Sequence, residues 1–227
     1  MNSKKYYNEI AGGYADLMKR SEPYLLAIEK EICLNTNVNH FLDLGCGEGT
    51  RSFRLIKSLQ PKESILIDES EEMIKNAKLN IIDNVKILNE DFVNYEFEHS
   101  FDMLTCLWNV FGHLPNEDVR LNFLKKIYKI LEVGGIAYID INNRYNIENY
   151  GFLNVLKNIF KDKILKDDTT GYWDLKSLNN TASTVYIHAP NELDLLIKKT
   201  GFNKVKKQYF DYCTGEKVNS YWKGQIL

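Results

Sequence analysis

A glycine-rich turn is the segment of this sequence with the clearest chemical potential. Residues 42–50 read LDLGCGEGT, with glycines at three alternate positions. Glycine leaves no side chain between the backbone and a ligand, so this turn can lie flat beneath a nucleotide-like group. A dinucleotide-binding GxGxxG turn would need a glycine where Thr50 stands, and the GK[ST] of a Walker loop is absent. We therefore expect the turn to bind a ligand without holding phosphate.

Three acidic residues stand near this turn, each close to the end of a predicted strand. Asp43 precedes the glycines, and Asp68 follows Gly47 by about 20 residues, where a carboxylate can accept both hydroxyls of a ribose. Asp91 closes the third predicted strand. A strand-end acid can instead cap the next helix, and this alternative is stronger for Asp91 than for Asp68.

Four segments in this order resemble the class I S-adenosylmethionine-dependent methyltransferases: LDLGCGEGT, IDESEEM, NEDF and FDMLTCLWNVFGHL. The resemblance covers about residues 38–141. It implies S-adenosyl-L-methionine as the cofactor and S-adenosyl-L-homocysteine as the product. A nicotinamide-dependent enzyme with the same strand–turn–helix geometry is the alternative.

The resemblance also implies a role for each matching residue at the cofactor. The backbone at Gly45 and Gly47 faces the methionine part of the cofactor, and Asp68 faces the ribose. Asp91 and the backbone of Phe92 face the adenine. These residues are expected to share one edge of the sheet.

Two further residues are implied at the methionine end. Main-chain carbonyls near Leu107 take the ammonium group of the cofactor. Asp43 is expected to organise the glycine turn and to lie within the field of the sulfonium charge. Both expectations depend on the family resemblance.

The N-terminal segment YYNEIAGGYADLMKR resembles the lid of small-molecule methyltransferases, in which tyrosines close over the sulfonium. Tyr14 is the first candidate for that role, followed by Tyr6 or Tyr7, and Tyr6 is also expected on the acceptor side. A tyrosine there would stabilise the cation and exclude water. Alternatively, the rings only pin an amphipathic helix to the sheet.

The segment LWNVFGHL contains the best acid–base candidate, just after the fourth predicted strand. His113, with an ordinary pKa of about 6.5, could take a proton from a hydroxyl or ammonium acceptor. Methyl transfer needs a base only where the acceptor must lose a proton, so a structural role for His113 is the alternative. Asn109 could orient the acceptor or tie the loop.

Residues after the fifth predicted strand read IDINNRYN and point toward the same edge of the sheet. Arg144 carries a fork that matches a carboxylate or phosphate, so it is predicted, with Asn142, to bind an acidic group of the acceptor. An ion pair with Glu148 is the alternative. The segment that follows adds aromatic and polar side chains that could shape a pocket: Tyr150, Tyr172, Trp173 and His188.

Strand and helix signals alternate along the chain, which is typical of a parallel sheet covered by helices. With the resemblance, they predict a single-domain three-layer α/β sandwich with a seven-stranded, mostly parallel sheet. Residues 1–36 would form a helical lid, 37–141 the cofactor-binding half, 142–184 a substrate-side insertion after the fifth strand, and 185–227 the C-terminal strands and helix.

Composition limits the classes of partner. The chain has 29 Lys and Arg against 31 Asp and Glu, a net charge of −2, which argues against a nucleic-acid or membrane partner. The lysines at 198, 199, 204, 206 and 207 are expected on a solvated face.

Four dispersed cysteines without a CxxC pair predict no metal site. Because no signal peptide or run of about 18 apolar residues is present, a cytoplasmic location is expected.

The sequence thus predicts a methyltransferase that acts on an oxygen or nitrogen of a small metabolite. A precursor of a surface polysaccharide or of a natural product is the leading substrate class. An RNA, tRNA or protein methyltransferase is the first alternative, although the [DN]PP[YF] pattern of amino-methylating nucleic-acid enzymes is absent. A cofactor-binding protein without transfer activity is the second.

Overall fold

A parallel β-sheet forms the centre of the protein in the computed structural model, which describes residues 3–35, 37–80, 82–176, 181–203 and 205–227. The described sheet has five strands in the order β3-β2-β1-β4-β5. Their bounds are β1 His40–Leu44, β2 Glu63–Asp68, β3 Val85–Asn89, β4 Phe101–Cys106 and β5 Leu131–Ile139.

The central strands β1 and β4 are buried on both faces of the sheet, and successive side chains of each strand point to opposite faces. In β1, Phe41 packs into the core on one face, and its neighbour Leu42 packs into the core on the other. Met103 and Leu104 divide in the same way in β4. The continuous apolar runs of these strands therefore follow from a sheet covered by helices on two sides.

The helices that cover the sheet begin where the sequence carries capping residues. The Ser70 side chain accepts a hydrogen bond from the backbone N–H of Met73 at the start of one helix, and the Asn116 side chain accepts one from Val119 N at the start of another. The described α-helices are α1 Ser3–Ile10, α2 Tyr14–Lys19, α3 Glu22–Ile32, α4 Thr50–Leu59, α5 Glu71–Lys78, α6 Glu117–Ile130, α7 Ile147–Tyr150, α8 Phe152–Phe160 and α9 Glu192–Ile197. None of the described helices is both long and apolar enough to cross a bilayer.

The predicted seven-stranded sheet is not confirmed in its number of strands. The C-terminal strands β8 Tyr209–Phe210, β9 Lys217–Val218 and β10 Gln225–Ile226 form a separate antiparallel sheet. Among the described residues, one antiparallel bridge joins Ile226 of this sheet to Ile141, just after β5, with N···O distances of 2.9 and 3.2 Å. Each of these strands is only two residues long, so one bridge is too little pairing to extend the parallel sheet.

The insertion after β5 contains α7, α8 and an antiparallel hairpin of β6 Tyr172–Lys176 and β7 Ala182–Tyr186. The strand β7 therefore begins within the predicted insertion, a few residues before the C-terminal strands expected from residue 185. Asn143 fastens the start of the insertion to the C-terminal segment, because its Nδ2 donates to the backbone oxygens of Tyr221 and Gly224.

The predicted basic cluster near the C-terminus is mostly paired with acids. Lys199 lies 2.9 Å from Glu117, and Lys207 lies 2.5 Å from Asp194. Lys206 pairs with Glu31 of α3, and Lys204 lies outside the described residues. These ion pairs join surface elements, and they leave the segment with little free positive charge.

A buried ion cluster holds the insertion to α9. Arg144 is almost fully buried, and its Nε donates to Asp162 at 2.9 Å. Its two terminal nitrogens donate to both carboxylate oxygens of Glu192, and Nη1 also donates to the backbone oxygen of Ile187 at 2.8 Å. The two acids come from different elements, so one guanidinium joins three parts of the chain.

Replacing Arg144 should therefore destabilise the fold. Arg144→Met leaves two largely buried carboxylates without a cation, and we expect the free energy of unfolding to fall by about 3 kcal/mol. Lys161→Met, which breaks a more exposed pair with Asp167, is the matched control and should cost less than about 1 kcal/mol. Urea unfolding measures both, and equal losses in the two variants would contradict this assignment.

Candidate active site

One cavity of about 380 Å³ lies at the carboxyl ends of the sheet strands, under α1 and α2. Open parallel α/β sheets bind ligands at this edge, and the volume lies within the usual range for small-molecule sites. Residues from the turns after β1, β2, β3 and β4 all contribute to the wall. The lining includes Tyr7, Tyr14, Met18, Gly45, Gly47, Glu48, Arg51, Asp68, Glu69, Asp91, Phe92, Trp108 and His113.

The glycine turn forms the floor of this cavity for steric reasons. Gly45 and Gly47 have φ angles of +72° and +57°, in the left-handed region that favours glycine. A Cβ on Gly45 would lie 2.6 Å from Val110 side-chain atoms, so no other residue fits there. A Cβ on Gly47 would lie 3.7 Å from Tyr14 Cε1, which places the tyrosine ring close to the turn.

Asp68 joins this turn to the next helix. Its Oδ2 accepts a hydrogen bond from Gly47 N at 2.9 Å, and its Oδ1 accepts one from Ser70 N at 2.8 Å. Burial raises the pKa of Asp68 to about 6, although the two N–H donors favour the ionised form. The residue thus supports the start of α5 and also lines the cavity, so the two interpretations drawn from the sequence are compatible.

Asp43 lies beneath the turn and is not among the lining residues. It is fully buried and accepts hydrogen bonds from Ser52 Oγ at 2.5 Å and Thr105 Oγ1 at 2.6 Å. Arg51 lies 3.6 Å from the same carboxylate and does line the cavity. Asp43 therefore holds the turn and Arg51 in position. Its negative charge acts on the cavity from beneath the turn, because the residue itself is not part of the lining.

The turn after β3 supplies the opposite end of the cavity. Asp91 lines it, and its carboxylate accepts hydrogen bonds from Val93 N at 2.9 Å and Asn94 Nδ2 at 2.6 Å. Phe92 also lines the cavity, and its ring is anchored on that of Phe123 with a centroid distance of 5.3 Å. Asp91 is therefore both a turn cap and a wall residue.

His113 and Tyr7 form a hydrogen-bonded pair in the cavity wall, with the Tyr7 hydroxyl 3.0 Å from His113 Nε2. Burial lowers the pKa of His113 to about 4, so the imidazole is neutral at neutral pH. Burial raises the pKa of Tyr7 and of Tyr14, so both phenols keep their protons. No hydrogen-bond partner for His113 Nδ1 exists among the described residues.

Tyr7 rather than Tyr6 is the second lid tyrosine at the cavity. Tyr6 is not among the lining residues, and its ring packs edge-on against Tyr7 at 5.3 Å. Tyr7 and Tyr14 are 6.1 Å apart between ring centroids. Their spacing of seven residues, about two helical turns, is a sequence signal that could have paired them.

Besides Asp43 and Tyr6, four predicted site residues are absent from the cavity lining: Leu107, Asn109, Asn142 and Arg144. Leu107 is packed in the core, although its neighbour Trp108 lines the wall. Asn109 Oδ1 accepts a hydrogen bond from Asn142 N at 2.9 Å, so both residues tie the end of β4 to the segment after β5. Arg144 is held by Glu192 and Asp162, which corrects its predicted role as a free ligand for an acidic acceptor.

Asp140, which no sequence motif singled out, holds this edge of the sheet together from below the cavity. Its Oδ1 accepts a hydrogen bond from Asn109 N at 2.7 Å, and its Oδ2 accepts one from Tyr24 OH at 3.1 Å. Trp108 and Asn109 both have positive φ, and this buried carboxylate holds that uncommon turn in place. The only sequence signal is an acid at the end of a strand.

The insertion does not line the cavity in the part of the chain that the structure describes. Tyr172 OH donates to the backbone oxygen of Pro115 at 3.0 Å, and Tyr150 packs against Trp173. His188 is fully buried between Phe111 and Tyr186. The expectation that these aromatic residues shape the pocket is therefore corrected, because they pack against one another and against the sheet edge.

The charges of the lining distinguish between nucleotide cofactors. Four acids and one guanidinium line the cavity among the described residues: Glu48, Asp68, Glu69, Asp91 and Arg51. Acidic walls repel the phosphates of a dinucleotide and attract a cation. Together with the side-chain-free turn, these residues fit an adenosine carrying a sulfonium charge.

Comparisons with known proteins agree with this fit. A family model described as a methyltransferase domain matches residues 41–135. Glycine N-methyltransferase of Mus musculus is 28% identical over 192 residues, which cover 76% of this chain and 64% of the relative. The cypemycin N-terminal methyltransferase of a Streptomyces species is 27% identical over 111 residues, which cover 48% of this chain and 44% of that protein.

A solved structure named as a complex of DhpI with SAH superposes with a TM-score of 0.68 at 16% identity, covering 98% of this chain and 91% of that one. Residues 41–135 thus match a methyltransferase domain, and the chain shares the fold of this SAH-bound structure. It spans just under two thirds of the length of the glycine N-methyltransferase that it matches. S-Adenosylmethionine is the cofactor of this methyltransferase family, and the residues described above would hold it.

The N-terminal lid helix α1 is hydrogen-bonded to the acid-bearing turn after β2. Asn8 Oδ1 accepts hydrogen bonds from Ser70 Oγ at 2.7 Å and from Glu72 N at 3.3 Å. Ser70 in turn donates its N–H to Asp68, and Ser3 of the same lid helix donates to Glu69. The position of α1 is therefore coupled to the position of Asp68.

The pKa of Asp68 predicts a pH dependence of cofactor binding. An ionised carboxylate is the better acceptor for ribose hydroxyls, and with a pKa of about 6 only about a tenth of it is ionised near pH 5. Calorimetry with S-adenosylhomocysteine should show about tenfold weaker binding near pH 5 than near pH 7.5. Asp68→Asn should bind S-adenosylhomocysteine weakly at both pH values. If the affinity of this variant falls from pH 7.5 to pH 5 as steeply as that of the wild type, the assignment is contradicted.

Removing the Asn8 acceptor should weaken the cofactor site from the lid side. Asn8→Ala leaves Glu72 N and Ser70 Oγ without their partner, and we expect S-adenosylhomocysteine binding to weaken by about 1 kcal/mol. Lys4→Gln is the control, because Lys4 and Glu71 form a solvent-exposed ion pair of little energetic value. If both variants bind like the wild type, Asn8 does not position the site.

Proposed function

We propose that the protein transfers a methyl group from S-adenosylmethionine to an amine nitrogen of a small metabolite, with a hydroxyl oxygen as the less favoured acceptor. The observation that carries this proposal is the neutral His113–Tyr7 pair in the wall of the same cavity as Asp68 and the glycine turn. The relatives named above, a glycine N-methyltransferase and an N-terminal methyltransferase, also act on nitrogen by their names.

The low pKa of His113 favours nitrogen over oxygen. A group whose conjugate acid has a pKa of about 4 is too weak a base to remove a proton from an alcohol. A neutral amine carries its own lone pair, so positioning alone can bring it to reaction once its ammonium form has lost a proton to water. The proton that leaves afterwards comes from an ammonium ion, which is a far stronger acid than an alcohol.

The tyrosines have a positioning role in this scheme. When bound, S-adenosylmethionine supplies an electrophilic methyl group on a cationic sulfur. With His113 in the tautomer that carries its proton on Nδ1, the Tyr7 hydroxyl donates to Nε2, and the phenolic oxygen is free to accept a hydrogen bond from an N–H of the methyl acceptor. Tyr14 lies close to Gly47 and closes the cavity against water. The nitrogen that receives the methyl group would thus be oriented by a neutral phenolic oxygen. This oxygen does not compete with the nitrogen for the methyl group.

The size of the cavity supports a small acceptor. Its volume of about 380 Å³ must hold both the cofactor and the acceptor, which leaves little room for a macromolecule. Within this range, a precursor of a surface polysaccharide or of a natural product remains our proposed substrate class. A peptide N-terminus is a second candidate, since it presents the same amine.

A substrate panel scored by S-adenosylhomocysteine release tests the proposed function. The panel should contain amino sugars, simple amines, glycine and sarcosine, a short peptide, matched alcohols, and transfer RNA. Turnover of an amine without turnover of its matched alcohol supports the proposal. Turnover of RNA alone, or cofactor binding without release on any acceptor, would overturn it.

Variants of the paired side chains test the scheme itself. His113→Ala and Tyr7→Phe should each lower kcat by about 10²-fold while the affinity for S-adenosylhomocysteine stays near the wild-type value. Because the two groups act as one unit, the double variant should be little worse than either single variant. More than a tenth of wild-type kcat in both single variants would show that the pair does not orient the acceptor.

A further inference from the structure

Helix α8 and the segment Lys161–Leu165 that follows it carry an apolar face that no described residue covers. Six large apolar side chains are between about half and four fifths exposed, from 52% for Leu156 to 78% for Leu153. The others are Phe152, Phe160, Ile164 and Leu165. An exposed apolar group of this size on a soluble protein indicates an interaction surface.

The spacing of these residues makes the face continuous. Phe152, Leu156 and Phe160 follow at intervals of four residues in α8, so their side chains lie along one stripe of the helix. Ile164 and Leu165 lie in the π-helical segment Lys161–Leu165 that follows. Val155 and Ile159 lie beside the stripe and pack into the small core beneath α8. The apolar surface of α8 is therefore wider than the part that the fold covers.

Basic residues accompany the exposed stripe. Lys157, Lys163 and Lys166 are exposed and have no ion-pair partner among the described residues. Lys161 pairs with Asp167, and Asp162 is held by Arg144. Within residues 152–168, all of which are described, Asp168 is the only exposed acid. The surface around the stripe is thus locally positive on a chain whose net charge is −2.

This charge distribution selects between two occupants of the face. Pairing of two α8 stripes from two copies would bring six lysines together with only two Asp168 carboxylates, which is electrostatically unfavourable. A bilayer with anionic headgroups accepts apolar side chains at its acyl boundary and offers phosphates to the lysines. The lipid surface therefore satisfies both features of the face.

We propose that the α8 face docks the protein reversibly on anionic phospholipid surfaces. The buried Arg144–Asp162 and Arg144–Glu192 pairs hold the end of the α8 segment on the protein body, so the face exists before binding. The overall charge balance excludes a basic coat over the whole protein, but local docking does not need one. One amphipathic element of this kind gives weak, salt-sensitive attachment.

Co-sedimentation of the full-length protein with vesicles tests this proposal. The probe is a phosphatidylcholine vesicle with about 30% phosphatidylglycerol, compared with pure phosphatidylcholine. We expect binding to the anionic vesicle at least fivefold stronger than to the neutral one, with loss of the difference in high salt. Equal binding to both vesicles, or no binding to either, overturns the proposal.

Surface variants localise the effect. Leu156→Glu and Phe160→Glu should abolish vesicle binding, and Lys157→Gln with Lys163→Gln should weaken it severalfold. Leu79→Glu, at an exposed leucine at the end of α5, is the matched control and should bind as the wild type does. Circular dichroism and S-adenosylhomocysteine affinity confirm that each variant is folded, so a failure here is distinct from a failure of the proposed function. A dimer in sedimentation velocity that Phe160→Glu dissociates, without vesicle binding, assigns the face to a second copy and overturns the proposal.

Discussion

The hydrogen bonds of the Asp68 carboxylate join the parts of the chain that make the site. One oxygen accepts from Gly47 N in the turn after β1, and the other accepts from Ser70 N at the start of α5. Ser70 also donates to Asn8 of the lid helix. The glycine turn, the second helix and the lid therefore share one buried group, and a change in the charge of that group is felt by all three.

Two acids below the cavity have the corresponding role for the neighbouring elements. Asp43 holds α4 to β4 through Ser52 and Thr105, and Asp140 holds the Trp108–Asn109 turn. Their carboxylates are fully used by hydrogen bonds within the fold, whereas Asp68 and Asp91 face the cavity. Acids at the ends of strands thus look alike in the sequence but differ in function. Those below the cavity hold the fold together, whereas those in its lining can contact a ligand, and only the packed structure separates the two groups.

The sequence predicted best those features whose causes are local. The glycine turn depends on residues within a few positions of each other, and its glycines adopt the left-handed conformation that only glycine takes readily. The partners of Arg144 could not be predicted, because Asp162 and Glu192 lie 18 and 48 residues away. The predicted number of seven strands is not confirmed for a related reason. The C-terminal strands meet the end of the central sheet through a bridge between Ile141 and Ile226, which are far apart in the sequence.

The acidic lining also explains why the cavity should bind a cationic ligand more tightly than an anionic one, although no single carboxylate is set aside to pair with that cation. Burial raises the pKa of Asp68, and the nearby charges of Glu69 and Asp43 raise it further. A cation held beside Asp68 lowers that pKa again, and by linkage the same cation binds more tightly as Asp68 ionises. A neutral ligand of the same shape gains less from this coupling. The methyl donor is cationic and its demethylated product has a neutral sulfur, so the lining favours the donor over the product at equal shape.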